Sequence, residues 1–319
     1  MLNLRGSHTA RRLVFDRSRS FLQGMSVMVE PVGTPLSWTA RALGRGSRFV
    51  GEGVGEIRSV DTAPIEIRDL RIPDLKRALR KGVDDFAALR TDVMFIVVIY
   101  PLAGLLLAWF ALNREMMHLL FPMVAGFALL GPVAAVGLYE MSRRRELGLH
   151  ASWADAFGVM RSPSFIPIVV LGAYLAAIFV AWLFAANTLY NLTLGPEPPS
   201  SIPAFIGDVF TTGAGLTMLI AGVAVGFVFA ALALVISLVS FPLLLDRHVG
   251  VPNAIVTSMK IARRNPVVVA AWGAIVVVSL CLSVMTLFIG LIVALPILGH
   301  ATWHLYRRAV VGRVSPKAA

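Results

Sequence analysis

The sequence predicts an all-α polytopic membrane protein: six transmembrane helices in three hairpin repeats, each repeat preceded by a cytoplasmic interfacial helix. Three observations carry this expectation. Hydrophobic residues make up 57% of the 319, and the mean hydropathy of +0.77 is well above that of a soluble domain. The charged residues, 15% of the chain, lie almost wholly outside six apolar blocks. The stretch 295–308, LPILGHATWHLYRR, has a near-copy at 131–144, GPVAAVGLYEMSRR, and a looser third copy at 241–247, FPLLLDR. Aligned on Pro132 and Pro296, Tyr139 falls on Trp303, Glu140 on His304, and Arg143 and Arg144 on Arg307 and Arg308. Each copy ends an apolar helix with a ring and then with arginines. That is the finish expected at a cytoplasmic interface, where the ring sits among headgroups and the guanidiniums meet anionic lipid.

Residues 1–71, rich in Gly, Arg, Ser and Pro, read as a disordered basic N-terminal tail, with Met25 and Met28 as alternative starts. The first residues hold no continuous apolar core of the kind a secretory signal needs. A six-span membrane domain is expected over 72–310, with repeat units at about 72–145, 152–247 and 253–308, and a C-terminal tail at 311–319. Its opening segment, IPDLKRALRKGVDDFAALR, puts Leu75, Leu79, Val83 and Phe86 on one face, with Lys76, Arg80, Lys81 and Asp84 elsewhere. Spacing of three or four residues makes an amphipathic helix, and a basic one before a span belongs in the headgroup layer.

The spans are expected at 93–112, 118–139, 165–186, 214–245, 266–287 and 289–306. The first has 20 residues and no charge, enough at 1.5 Å each for a hydrocarbon core of about 30 Å. The fourth is too long to stand perpendicular and must tilt, kink or begin outside the bilayer. The fifth and sixth hinge near 288–290, because one unbroken helix would overshoot the membrane. Prefaces like the first recur before the third and fifth spans. One has Trp153, Phe157 and Met160 on a face; the other has Ile255, Met259 and Ala262, with Lys260, Arg263 and Arg264 at its end. They stop at Pro163 and Pro266, as helices do before proline. The pattern is that of parallel internal duplication.

Of 29 Lys and Arg residues, only Arg114 falls on the far side of these spans, and the loop 187–213 has none. Such asymmetry places both termini in the cytoplasm of an inner membrane. It also accounts for the net charge of +11 without nucleic acid, since the same arginines anchor the topology. The partner implied is a bilayer with anionic headgroups, with homo- or hetero-oligomers left open. Gly222 and Gly226 form a GxxxG suited to close helix packing. Pro132, Pro242 and Pro296 are expected to kink their helices or free a carbonyl. The loop segment 201–211 carries Ile202, Phe205, Ile206, Val209 and Phe210, a second interfacial helix on the outer face.

Chemistry is sparse. No span has Asp, Glu, Lys or Arg near its centre, and Cys281 is the only cysteine, so neither a disulfide framework nor a thiolate zinc site is available. His300 and His304, four residues apart, share a helix face and could present two imidazoles to a metal, with Glu140, Asp246, His150 or His248 as a third ligand. The alternative is that they are polar anchors at the end of the sixth span, with His304 opposite Glu140 closing the first unit on the third. The alignment favours anchors, because Val136 stands where His300 would repeat. No catalytic residue and no cofactor is expected.

The blocks GPVAAVGLYEMSRRRELG and LPILGHATWHLYRR resemble a proteobacterial family of predicted integral membrane proteins, domain of unknown function 2189, over about 75–310. Gly299, His300, Trp303 and His304 are the most specific part of the resemblance. It implies membrane location and fold but no activity. The expected role is therefore structural or accessory. A small-molecule or lipid transporter with a cavity between the hairpin units is the first alternative, and a metal-dependent membrane enzyme the second.

Overall fold

The structure, a computed structural model, describes residues 65–312 except 98, 114 and 115, together with 51, 54, 55 and 57; the side chains of 90–100, 113, 127 and 153 are also outside the description. Most of the expected N-terminal tail, with Met25 and Met28, therefore lies outside it, as do Arg114 and 313–319. The described regular elements are helical, apart from one antiparallel bridge between Ile67 and Val310.

In chain order the helices are α1 (Ile72–Val97), α2 (Ile99–Asn113), α3 (Leu120–Phe127), α4 (Gly131–Ala134), α5 (Val136–Glu146), α6 (Trp153–Gly158), α7 (Phe165–Thr193), α8 (Ile202–Thr211), α9 (Gly213–Ser237), α10 (Ser240–Asp246), α11 (Val251–Arg264), α12 (Pro266–Met285) and α13 (Leu291–Ala309). Among the described residues, four stretches are long and apolar enough to cross a membrane: Met117–Glu146, Phe165–Thr193, Gly213–Asp246 and Pro266–Met285. The expected spans 93–112 and 289–306 are not among them. Part of the first lies outside the described residues, and the part inside them includes the shorter apolar helix Pro101–Leu112. In the last, the apolar start of α13 runs on into His300, His304, Arg307 and Arg308.

The breaks in the long helices have local causes. Pro132 sits at the start of α4, directly after a 3₁₀ turn at Ala128–Leu130. A proline ring crowds the carbonyl four residues back, here that of Ala128, so the α-helical ladder cannot run through. Pro242 acts the same way on Leu238, and the helix breaks between α9 and α10 at Leu238 and Val239. The break leaves the Val235 carbonyl and the Val239 amide without each other. Ser258 of α11 repairs this: its Oγ donates to the Val235 oxygen at 2.7 Å and accepts from the Val239 nitrogen at 3.4 Å. Ser240 Oγ donates to the carbonyl of Ala254 on the same helix at 3.0 Å. The length of the fourth apolar run is thereby explained, since residues 240–245 beyond the break are buried inside the protein. Pro296, by contrast, lies within an unbroken α13.

Two helices expected to face headgroups instead turn their inner faces to the rest of the chain. On α1 the buried line is Leu75, Ala78, Gly82, Asp85 and Leu89, packed on α13, while Val83 is exposed. On α11 it is Val251, Ala254, Thr257, Ser258, Ile261 and Ala262, packed on α9 and α10, while Met259 is exposed. Two glycines permit close approach. A Cβ on Gly82 would stand 2.7 Å from the Ile297 carbonyl oxygen, and one on Gly299 would stand 2.6 Å from Leu138 Cδ1. α13 therefore lies tight against α1 on one side and α5 on the other. In the GxxxG of α9, Gly226 sits under the Trp182 ring, whereas Gly222 makes only ordinary contact with Leu189.

Residues 65–71 are extended and cross the charged end of the bundle. The Arg68 amide donates to the Ala309 carbonyl at 2.9 Å, and the Leu70 amide to Asn265 Oδ1 at 2.6 Å. Contacts with the bundle thus reach ahead of Ile72.

Because Ser258 serves both orphaned groups, Ser258→Ala should lower stability by about 1–3 kcal/mol. Denaturant titration of the purified protein in detergent measures this.

Candidate functional site

A cluster of paired polar side chains forms where α1, α5, α10 and α13 meet. Asp85 is its centre. It is 6% exposed, because it occupies the inner line of α1 three residues after Gly82. Its Oδ2 accepts from Ser142 Oγ at 2.6 Å and from His304 Nε2 at 2.8 Å, and its Oδ1 accepts from Arg145 Nη1 at 2.6 Å. Ser142 and Arg145, three residues apart, share a face of α5. Ser142 has one hydrogen and gives it to Asp85, so its oxygen accepts from His300 Nδ1 at 2.7 Å. That proton assignment leaves His300 Nε2 bare, and it has no hydrogen-bond partner among the described residues. Burial alone would raise the pKa of Asp85; the hydrogen bonds from His304 and Ser142 outweigh it and hold the carboxyl below its ordinary value.

A second node joins the three related helix endings found in the sequence. Asp246, at the end of 241–247, accepts from Tyr306 Oη at 2.6 Å. It also lies 3.6 Å from Arg307 Nη1, 3.8 Å from Arg143 Nε and 3.9 Å from Arg247 Nε. Glu146 accepts from Trp303 Nε1 at 2.9 Å and Arg307 Nε at 3.1 Å. Arg144 pairs with Asp155 at 3.1 Å and Arg308 with Asp74 at 3.0 Å. The repeated arginines are thus bound to the protein's own carboxylates. The repeated rings are likewise interior: Tyr139 is 2% exposed and Trp303 1%. An aromatic belt facing lipid is not their place.

The four polar residues singled out in the sequence come close together but not as one ligand set. His300 and His304 both join the Asp85 cluster, Glu140 binds Arg143 at 3.0 Å, and Asp246 binds Tyr306. The contact expected between His304 and Glu140 is replaced by His304 to Asp85. Among the described residues no group of three or more His, Cys, Asp or Glu is placed to hold a metal ion. Sequence reasoning missed Asp85, Ser142, Arg145 and Glu146. The available signal was the spacing of Leu75, Ala78, Gly82, Asp85 and Leu89, which puts a carboxylate on the line of small and apolar residues.

A cleft of about 290 Å³ opens beside the cluster, with His304 in its wall. Arg68, Lys81, Arg307 and Arg308 line it, along with Asp69 and Asp74. At the far end of α7 a smaller polar group forms: His118 stacks on Tyr190 with ring centroids 4.1 Å apart, and its Nε2 lies 3.0 Å from Asn187 Oδ1.

These features define an α-helical integral membrane protein with several apolar helices and an internally paired, charged end. Residues 120–246, about two fifths of the chain, match the family described as predicted integral membrane protein, domain of unknown function 2189. The match takes in the 131–144 copy and all of α10, and it ends before α11 and α13. No curated protein and no solved structure matches the chain.

Asp85→Asn should cost about 1.5–3 kcal/mol at neutral pH, because it weakens hydrogen bonds made to a charged acceptor. A depressed carboxyl pKa contributes stability above the unfolded value of about 3.9 and loses it as pH falls through the folded value. Denaturant titrations at pH 7 and at steps below pH 4 should therefore show a wild-type acid loss that is smaller in Asp85→Asn.

Proposed function

We propose that this chain is a multi-pass protein of the bacterial inner membrane with both termini and the charged end in the cytoplasm. Its role there is structural or accessory: it holds a fixed charged platform on a set of lipid-facing helices. The observation that carries this reading is the pairing of the helix-ending arginines with carboxylates from other helices. Helices so joined on several sides resist the rocking that alternating access requires. The stretches 117–139, 165–193, 213–245 and 266–285 also have no Asp, Glu, Lys or Arg, where an ion-coupled transporter places its working residue.

The bridge between Ile67 and Val310 supports a common side for the two ends of the membrane domain, since the chain between paired residues makes an even number of crossings. Six crossings in three hairpin units agree with the repeat at 131–144, 241–247 and 295–308. Val83, Phe157 and Met259 are 46%, 51% and 49% exposed, which suits helices that keep an outer apolar edge against headgroups.

Alkaline phosphatase fused after Gly195 should be active and the same enzyme fused after Arg308 inactive; the reverse pattern, or activity at both, removes this topology. Spin labels at Val83, Phe157 and Met259 should report intermediate immersion depth. A label pair at Lys76 and Lys260 should give a single distance distribution in liposomes. Two populations that respond to an ion gradient would favour a transporter with a cavity between the units.

A further inference from the structure

We infer that the cleft beside His304 is a binding site for a phosphate group, on a lipid headgroup or on a soluble anion. The charge balance points there. Four cations line the cleft against two carboxylates, and both carboxylates are already engaged: Asp69 by Arg264, and Asp74 by Arg308 and Arg77. Arg307 shares Asp246 with Arg143 and Arg247, so that carboxylate is divided among three guanidiniums. Arg68 and Lys81 make no ion pair among the described residues. The cleft therefore carries an excess of about two positive charges, which a phosphate dianion, or a monoanion with water, answers.

Geometry agrees with the charge. A volume of about 290 Å³ is on the order of ten water volumes, room for a phosphate with part of its ester substituent. Arginine forks and a lysine ammonium are the donors that phosphate oxygens take best. Two of the donors, and the backbone that carries a third, are held in place before any ligand arrives. Arg68 sits on the extended segment tied to Ala309 and Asn265, while Arg307 and Arg308 are fixed by Glu146 and Asp74. A single carboxylate would occupy one fork and leave the rest of the excess unanswered. This inference stands on the cleft itself, so the fusion experiment above and the binding experiment below can fail independently.

The full chain, purified in uncharged detergent and in phosphatidylcholine nanodiscs, is titrated with inorganic phosphate by calorimetry. Phosphatidylglycerol retention is read in parallel by native mass spectrometry. Arg68 and Lys81 are exposed and make no ion pair among the described residues, so R68Q/K81Q should fold as wild type, checked by circular dichroism. K260Q/R263Q removes the same charge from the outer face of α11 and serves as its control. Binding should weaken at least about tenfold in R68Q/K81Q and stay within about twofold in the control. Saturable phosphate binding in phosphatidylcholine alone assigns a soluble anion. Phosphatidylglycerol retained against excess inorganic phosphate assigns the headgroup. Absence of saturable binding of either probe, or equal weakening in the two double variants, overturns the proposal.

Discussion

A carboxylate inside a helix seam must be supplied with donors, and at Asp85 that requirement organises the whole charged end. Left unsatisfied, the buried charge would cost more than a domain can spare. Its three donors come from two other helices, Ser142 and Arg145 from α5 and His304 from α13. Gly82 lets α1 close on α13, and Gly299 lets α13 close on α5. The register of α1 on α13 and of α13 on α5 is thereby set by a few polar atoms. The large buried side chains Trp303, Tyr139, Tyr306 and Phe241 fill the space around them.

The protein divides its forces between two regions. Along the apolar helices many large side chains look outward, Phe184, Ile220 and Phe227 among them, each at least 70% exposed. Between such surfaces in lipid there is no hydrophobic drive, so packing and backbone satisfaction hold the helices. At the charged end the same chain buries rings, forms paired charges and closes its helix break with Ser258. The proline breaks mark the change of regime: beyond Pro242, α10 is interior on every side.

The sequence made the helical class, the apolar runs and the turn near 288–290 legible, because each rests on periodicity or proline chemistry. It placed His300 and His304 on one face correctly, since four residues is a helical spacing. It did not reveal Asp85, whose meaning depends on a partner 219 positions away. It also assigned Tyr139, Trp303 and the arginines to lipid. A ring followed by guanidiniums suits a headgroup layer and a charged protein interior equally, and only the three-dimensional arrangement of carboxylates separates the two. The offset of the inner line on α1, from Val83 to Gly82 and Asp85, came from ranking residues by apolarity where close backbone approach decided the matter.

The pairing of residues 65–71 with Asn265 and the segment after α13 has a consequence for biosynthesis. α1 leaves the ribosome before the other helices described over 65–312, and α13 leaves after them. Until α13 is made, Asp85 lacks His304, Gly82 faces an empty groove, and Arg68 has no Ala309 to anchor beside. The nascent chain must therefore carry a half-finished polar seam through insertion of every intervening helix and close it in a single late step. Chains truncated before α13 would expose that seam in full, which gives cellular quality control a plain mark of incompleteness.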